Sequence, residues 1–190
     1  MAEPAERLAD WSDIAVLDDG VRAQIVGGEL VIEEMAPGPE HSVTAGMLSA
    51  ELMPPFYLGR GGGPGGWWIM VEIDVELERH EVYRPDLAGW RKERVPEFPR
   101  ERPVGVRPDW VCEVLSPSNA RFDLGVKRAV YHRNEIPWYW IVDPHNATLT
   151  VFKWSEQGYL VVQSAGRGDK VGLQPFEALE IDVSDIMPPV

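Results

Sequence analysis

Cysteine is nearly missing from this chain of 190 residues: Cys112 stands alone, which excludes an internal disulfide framework and fits a reducing compartment. No apolar run approaches the roughly 20 residues of a membrane span. The first ten residues carry acids and no apolar segment, unlike a secretory signal. These absences together give the expectation of a soluble, cytoplasmic protein with no membrane partner. Bases are also scarce, 18 Lys and Arg against 31 Asp and Glu, and the net charge of −13 repels polyanions. The four histidines, His41, His80, His132 and His145, show no metal-ligand spacing and read as surface or loop residues. The glycine-rich stretch 59–66 lacks the lysine and hydroxyl residue that close a phosphate-cradling loop, so it reads as a surface connection.

The acidic excess is uneven. Residues 1–78 hold 15 acids and 3 bases, and residues 134–190 hold 8 and 3. Residues 79–133 reverse the balance with 8 acids and 12 bases, which permits a polyanion near that segment. The length fits one domain over residues 1–190, with its core between about 12 and 186.

Hydrophobic periodicity outlines the elements. Trp11–Leu17 reads as a short helix, and Val21–Val26 and Glu29–Ile32 as a hairpin around Gly27-Gly28. A helix is expected over 37–53, ended by Pro54-Pro55, with Met47, Leu48 and Leu52 on its apolar side and Glu51 among them. The alternation in Trp67–Glu78 predicts one strand with a solvated acidic face, returned by a partner strand Val82–Trp90. Asp109–Leu115 is a further strand, followed by a helix capped by Ser118 or Asn119 and running to Arg133. Trp138–Asp143 is a strand, and Leu149–Lys153 and Tyr159–Gln163 form a hairpin.

Glu113 stands out because it interrupts the apolar run Trp110–Leu115. A lone carboxylate in a buried strand is costly unless a cation or donors meet it. Strand alternation puts Asp109, Val111, Glu113 and Leu115 on one face, with Trp110, Cys112 and Val114 on the other. Asp109 and Glu113 lie roughly 13 Å apart along the strand, too far to share an ion, so Asp109 reads as a turn residue. Asp86 on the preceding strand is then the natural partner of Glu113. Mg²⁺ keeps several waters and needs only one or two carboxylates, and the Val114 carbonyl offers a further oxygen. The competing reading pairs Glu113 with an arginine. Asp123, Lys127 and Tyr131 recur at four-residue spacing on one helix face. There Lys127 either makes an exposed ion pair with Asp123 or reaches the acids to stabilise charge developing on a phosphate. Glu51 either orients a metal-bound water or contacts an arginine. Cys112, on the face opposite Glu113, is not expected to act as a nucleophile, and Trp138 and Trp140 read as core.

The ordered set Gly27-Gly28-Glu29, His41, Arg84-Pro85-Asp86, Arg107-Pro108-Asp109, Glu113-Val114-Leu115-Ser116-Pro117-Ser118, Asp123, Lys127, Tyr131 and Trp138–Pro144 resembles the Uma family of restriction-endonuclease-like proteins, members of the PD-(D/E)XK nuclease superfamily. The resemblance runs from about residue 12 to the C-terminus. It implies an α/β restriction-endonuclease-like core, a mixed β-sheet flanked by helices with additional β-hairpins. It also implies Mg²⁺, or Mn²⁺ in its place, held by Asp86 and Glu113, with Glu51 loosely matching the helix acid. The lysine of the superfamily pattern, two residues after the acid, is replaced by Leu115, and Lys127 is the candidate to substitute for it. The expected function is a metal-dependent endonuclease acting on nucleic acid, most simply DNA, as a homodimer. A catalytically silent binding module and a hydrolase of small phosphorylated molecules are the alternatives.

Overall fold

The computed structural model describes residues 7–18, 20–33, 37–117 and 119–189. Helix α1 (Trp11–Ala15) is closed by a reciprocal capping box between Asp10 and Asp13. Strands β1 (Ala23–Val26) and β2 (Glu29–Ile32) form the expected hairpin. Its two turn residues, Gly27 and Gly28, have φ of 59° and 84°, the left-handed backbone that such a tight hairpin turn needs.

Helix α2 (Pro39–Leu52) buries His41, Thr44, Leu48 and Leu52, spaced three, four and four residues apart along one face. Met47, expected on that face, is instead exposed. The helix does not stop at Pro54-Pro55 but runs on into a π-helical turn, Met53–Tyr57. Neither proline can donate to the α-ladder, and the turn closes instead through the wider bond from Leu58 N–H to the Met53 carbonyl at 3.1 Å.

The two long strands expected over 67–78 and 82–90 are each broken. The result is β3 (Trp67–Val71), β4 (Val75–Glu78), β5 (Glu81–Tyr83) and β6 (Leu87–Arg91). Val71 opposes Leu87 and Val75 opposes Tyr83 in the same register, so the four strands are one hairpin, bent at 72–74 and 84–86. The bend has a physical cause. Asp74, taken in the sequence as part of a solvated face, is 1% exposed. Its two oxygens accept from Arg84 at 2.7 Å and Arg102 at 2.8 Å, and two guanidinium groups together allow a carboxylate to leave water.

The bend sends the arms into different sheets. β4 and β5 join β1 and β2 in the order β2-β1-β5-β4. β3 and β6 join β7 (Trp110–Val114), β8 (Trp138–Asp143), β9 (Thr148–Lys153) and β10 (Leu160–Gly166) in the order β10-β9-β8-β7-β6-β3. A short pair, β11 (Lys170–Gly172) and β12 (Glu180–Asp182), follows. In the six-stranded sheet β7 and β8 run parallel and the other described pairs antiparallel. A parallel pair needs a crossover, and here it is α3 (Ala120–Phe122), a π-helical segment Asp123–Lys127, and α4 (Arg128–Arg133). Asn119 is the N-cap residue without a side-chain cap bond, and Ser118 lies outside the described residues.

All five residues of β7 are buried, and alternation splits them between two cores. Trp110, Cys112 and Val114 pack with Trp140 and Phe176; Val111 faces Tyr131 and Tyr139. Gly89 on β6 sits against Trp110 and Trp67, where an added Cβ would come within 3.0 and 3.2 Å of their rings. Gly89→Ala is therefore expected to cost about 1–3 kcal/mol through overpacking, measured by urea unfolding. Among the described residues no helix is long and apolar enough to cross a membrane.

Candidate metal centre

Asp86 lies at the bend just before β6. The register that sets Leu87 opposite Cys112, continued by one residue, sets Asp86 opposite Glu113, where facing Cβ atoms stand about 4.5–5.5 Å apart. Each carboxylate is held by two donors. Asp86 accepts from His41 Nε2 at 3.0 Å and from the Val114 backbone N–H at 2.7 Å. Glu113 accepts from Lys127 Nζ at 2.9 Å and from the Tyr131 hydroxyl at 2.6 Å. The anticipated arginine partner of Glu113 is thus a lysine and a tyrosine.

Lys127 is not the exposed ion pair considered from its spacing. Its side chain is 6% exposed and also lies 3.1 Å from Asp123 Oδ1. That contact supplies charge attraction without hydrogen-bond geometry, so Asp123 Oδ1 is a buried oxygen lacking a hydrogen bond. Asp123 and Lys127 bound the π-helical segment, a distortion that recurs at functional sites.

Asp86, Glu113, Asp123, Lys127 and His41 line one cavity, shared with Val114. Its volume is about 20 Å³, enough for one water-sized occupant. Glu33, Arg22 and Arg84 complete its charged lining, so four carboxylates there meet three permanent cations and the His41 imidazole. Burial pushes the Glu113 carboxyl up to about 8, against the pull of Lys127, and burial likewise raises Asp123. For Lys127 burial opposes the cation, but Glu113 and Asp123 outweigh it and raise its pKa. His41 behaves alike: burial disfavours its charge, and the Asp86 hydrogen bond together with the charges of Asp86 and Glu72 more than offsets this.

These directions fix a pH dependence. A carboxyl raised from 4.5 to about 8 keeps its proton in the folded chain after the unfolded chain has released its own. The stability this gives is complete below pH 4.5 and is lost as pH rises through about 8. Glu113→Gln removes that loss. The variant's melting temperature is expected to gain on the wild type between about pH 5 and 8, read by thermal unfolding in matched buffers. A constant difference across that range would contradict the assignment.

Two expectations change. Glu51 does not line the cavity: it is half-buried, ten residues along α2 from His41, roughly 15 Å up the helix axis. The residue that α2 delivers to the acids is His41, which the sequence reading placed at the surface. Its signal was present in the 41-44-48-52 stripe, with the histidine heading an otherwise buried face. Asp109 accepts from the Arg91 backbone N–H and from Arg94 Nε, both at 2.8 Å, and closes the turn as expected. Among the described residues no three His, Cys, Asp or Glu side chains form a ready-made cage. Mg²⁺ needs no such cage, since water and phosphate oxygens complete its shell. The donor set is therefore suited to a hard divalent ion: two facing carboxylates and a further carboxylate oxygen without a hydrogen bond.

A mixed sheet with acids on adjacent central strands and a helical crossover carrying the lysine is a restriction-endonuclease-like α/β fold. The chain belongs to the Uma2 family, described as "Putative restriction endonuclease", which matches residues 6–184. It is also similar to a solved structure from Anabaena variabilis ATCC 29413, described as a "putative nuclease belonging to DUF820". The TM-score is 0.65, at 16% identity over 92% of this chain and 94% of the other. No curated protein matches.

Proposed function

We propose that this protein is a divalent-metal-dependent endonuclease that hydrolyses phosphodiester bonds of nucleic acid. The observation that carries the reading is the convergence of Asp86, Glu113, Asp123 and Lys127 on one small cavity. Asp86 and Glu113 would hold Mg²⁺ or Mn²⁺. The Val114 carbonyl shares the strand edge of the N–H that bonds Asp86 and would add an oxygen. The bound ion supplies Lewis-acid stabilisation of phosphate charge and a more acidic water.

The protein's own groups then have separate tasks. His41 and the Val114 N–H orient the Asp86 carboxylate; Tyr131 orients Glu113. Lys127, protonated and placed between Glu113 and Asp123, has three N–H donors and gives one to Glu113, so donors remain to steady the attacking oxygen or the phosphate. It takes the part of the lysine that Leu115 replaces. Cutting both strands of a duplex would use two copies of the chain.

A second reading, a silent module on the same scaffold, draws on both Glu113 oxygens already having donors. Incubation of the purified protein with supercoiled plasmid, single-stranded DNA and RNA, with Mg²⁺ or Mn²⁺, separates the two. Cleavage that disappears in Asp86→Ala supports the nuclease. Protein that binds no metal favours the silent module, and metal binding with all polymers left intact favours a hydrolase of small phosphorylated molecules.

A further inference from the structure

A second and larger cavity, of about 450 Å³, adjoins the carboxylate site, and its size suits a small organic ligand. Arg22 and Arg84 line both cavities, so the two share a wall. Its lining combines the apolar side chains of Trp11, Ile14, Leu17 and Val21 with the guanidinium groups of Arg22, Arg84 and Arg102.

Each guanidinium is fixed by an acid. Arg22 bonds Glu33 at 2.9 Å and Glu72 at 2.7 Å, and Arg84 and Arg102 bond opposite oxygens of Asp74. These contacts set the positions of the arginines, and with five donors apiece they keep N–H groups to spare. Arg102 is 64% exposed at its side chain, and its Cζ stands 5.8 Å over the Trp11 ring. Two acids also border the cavity: Glu72, held by Arg22, and Asp18 on the exposed rim. An aromatic face combined with fixed cations is the arrangement that holds a base by stacking and its phosphate by charge.

We infer that this cavity receives one unpaired nucleotide of the substrate strand, adjoining the bond that is cut. Its base lies against Trp11 and its phosphate meets Arg22, Arg84 and Arg102. The inference rests on the nuclease reading and adds a substrate class to it. A nucleotide enters the cavity only with its base out of the stack, and unstacking is easiest where the base is already unpaired. Single strands, loops and frayed ends are thus preferred to intact duplex.

The test is an anisotropy titration of short fluorescein-labelled oligonucleotides in EDTA: single-stranded DNA, single-stranded RNA and the matching duplex. At least one single strand is expected to bind more tightly than duplex by about tenfold or more, within the range that base–aromatic stacking covers. Trp11→Ala and Arg102→Gln should each weaken that binding about tenfold, and Trp11→Phe should restore most of it. Arg102 is exposed and Asp74 keeps Arg84, so Arg102→Gln tests the site even where Trp11→Ala unfolds α1. Equal affinity for duplex and single strands overturns the inference, as does wild-type affinity in both Arg102→Gln and Trp11→Phe/Arg102→Gln. Plasmid cleavage assayed on the same proteins separates the two claims. Normal cleavage with unaltered oligonucleotide binding in the variants overturns this inference alone. Binding that depends on Trp11 and Arg102 in a protein that cleaves nothing overturns the nuclease reading and supports the cavity as a nucleotide site.

Discussion

Replacing Glu113 with glutamine is expected to reduce Mg²⁺-dependent cleavage at least about 100-fold, the upper range reported for disturbing mere supporting partners of a metal, while leaving the folded protein as stable or more so. The two outcomes come from the same physical fact. Glu113 is 1% exposed, and its charge is expensive in that position. Glutamine keeps the volume and keeps an oxygen to accept from Lys127 or Tyr131, but removes the charge. A residue retained for structure would lose stability on this change. One retained to grip a cation loses function and gains stability, most visibly near pH 8, where the wild-type carboxyl ionises. Cleavage assays beside thermal unfolding at that pH read both. A Glu113→Gln protein that cuts at the wild-type rate would remove Glu113 from the chemistry.

Lys127→Met should instead destabilise the fold. Lys127 Nζ lies 2.9 Å from Glu113 and 3.1 Å from Asp123, and its loss leaves two buried carboxylates without a cation. Breaking a buried pair from one side costs about 3–5 kcal/mol. The loss should shrink at lower pH, because burial raises both acids and each then takes up a proton. Combining Lys127→Met with Glu113→Gln should recover part of the stability, since the two groups touch and their effects do not add. Urea unfolding of the single and double variants at two pH values measures this. Equal destabilisation with and without Glu113 would mean that the lysine acts by packing alone.

The sequence made the two-core design of β7 legible, because Trp110, Cys112 and Val114 alternate strictly with Val111 and Glu113, and strand alternation is a short-range rule. The hairpin at Gly27-Gly28 and the strand 138–143 were legible for the same reason. What remained hidden depended on distant partners. Asp74 looks like one more acid on a solvated face until Arg84 and Arg102 close on it from 10 and 28 residues away. The bend they stabilise divides two apparent strands between two sheets. The prolines at 54 and 55 end an α-ladder, yet they did not reveal that a π turn would continue it. At the site, Asp86 and Glu113 followed from strand order. Glu51 stands out when the apolar stripe is placed through Met47; the buried stripe runs through His41 and Thr44, and it brings a histidine to the site where the sequence suggests a glutamate.

The basic excess of residues 79–133 also takes on a different meaning in three dimensions. Arg84, Arg94, Arg102, Arg107, Lys127 and Arg133 each pair with an acid, so much of that charge supports the fold. Its value for a polyanion lies in where it is fixed, beside the carboxylates, more than in its amount.

Titration of the protein with Mn²⁺, followed by the loss of the free-ion signal in electron paramagnetic resonance, tests the central claim most directly. The account predicts one ion bound per chain, with binding abolished in Asp86→Ala and in Glu113→Gln. A wild-type protein that leaves the ion in solution, or variants that bind it as tightly as the wild type, would contradict it.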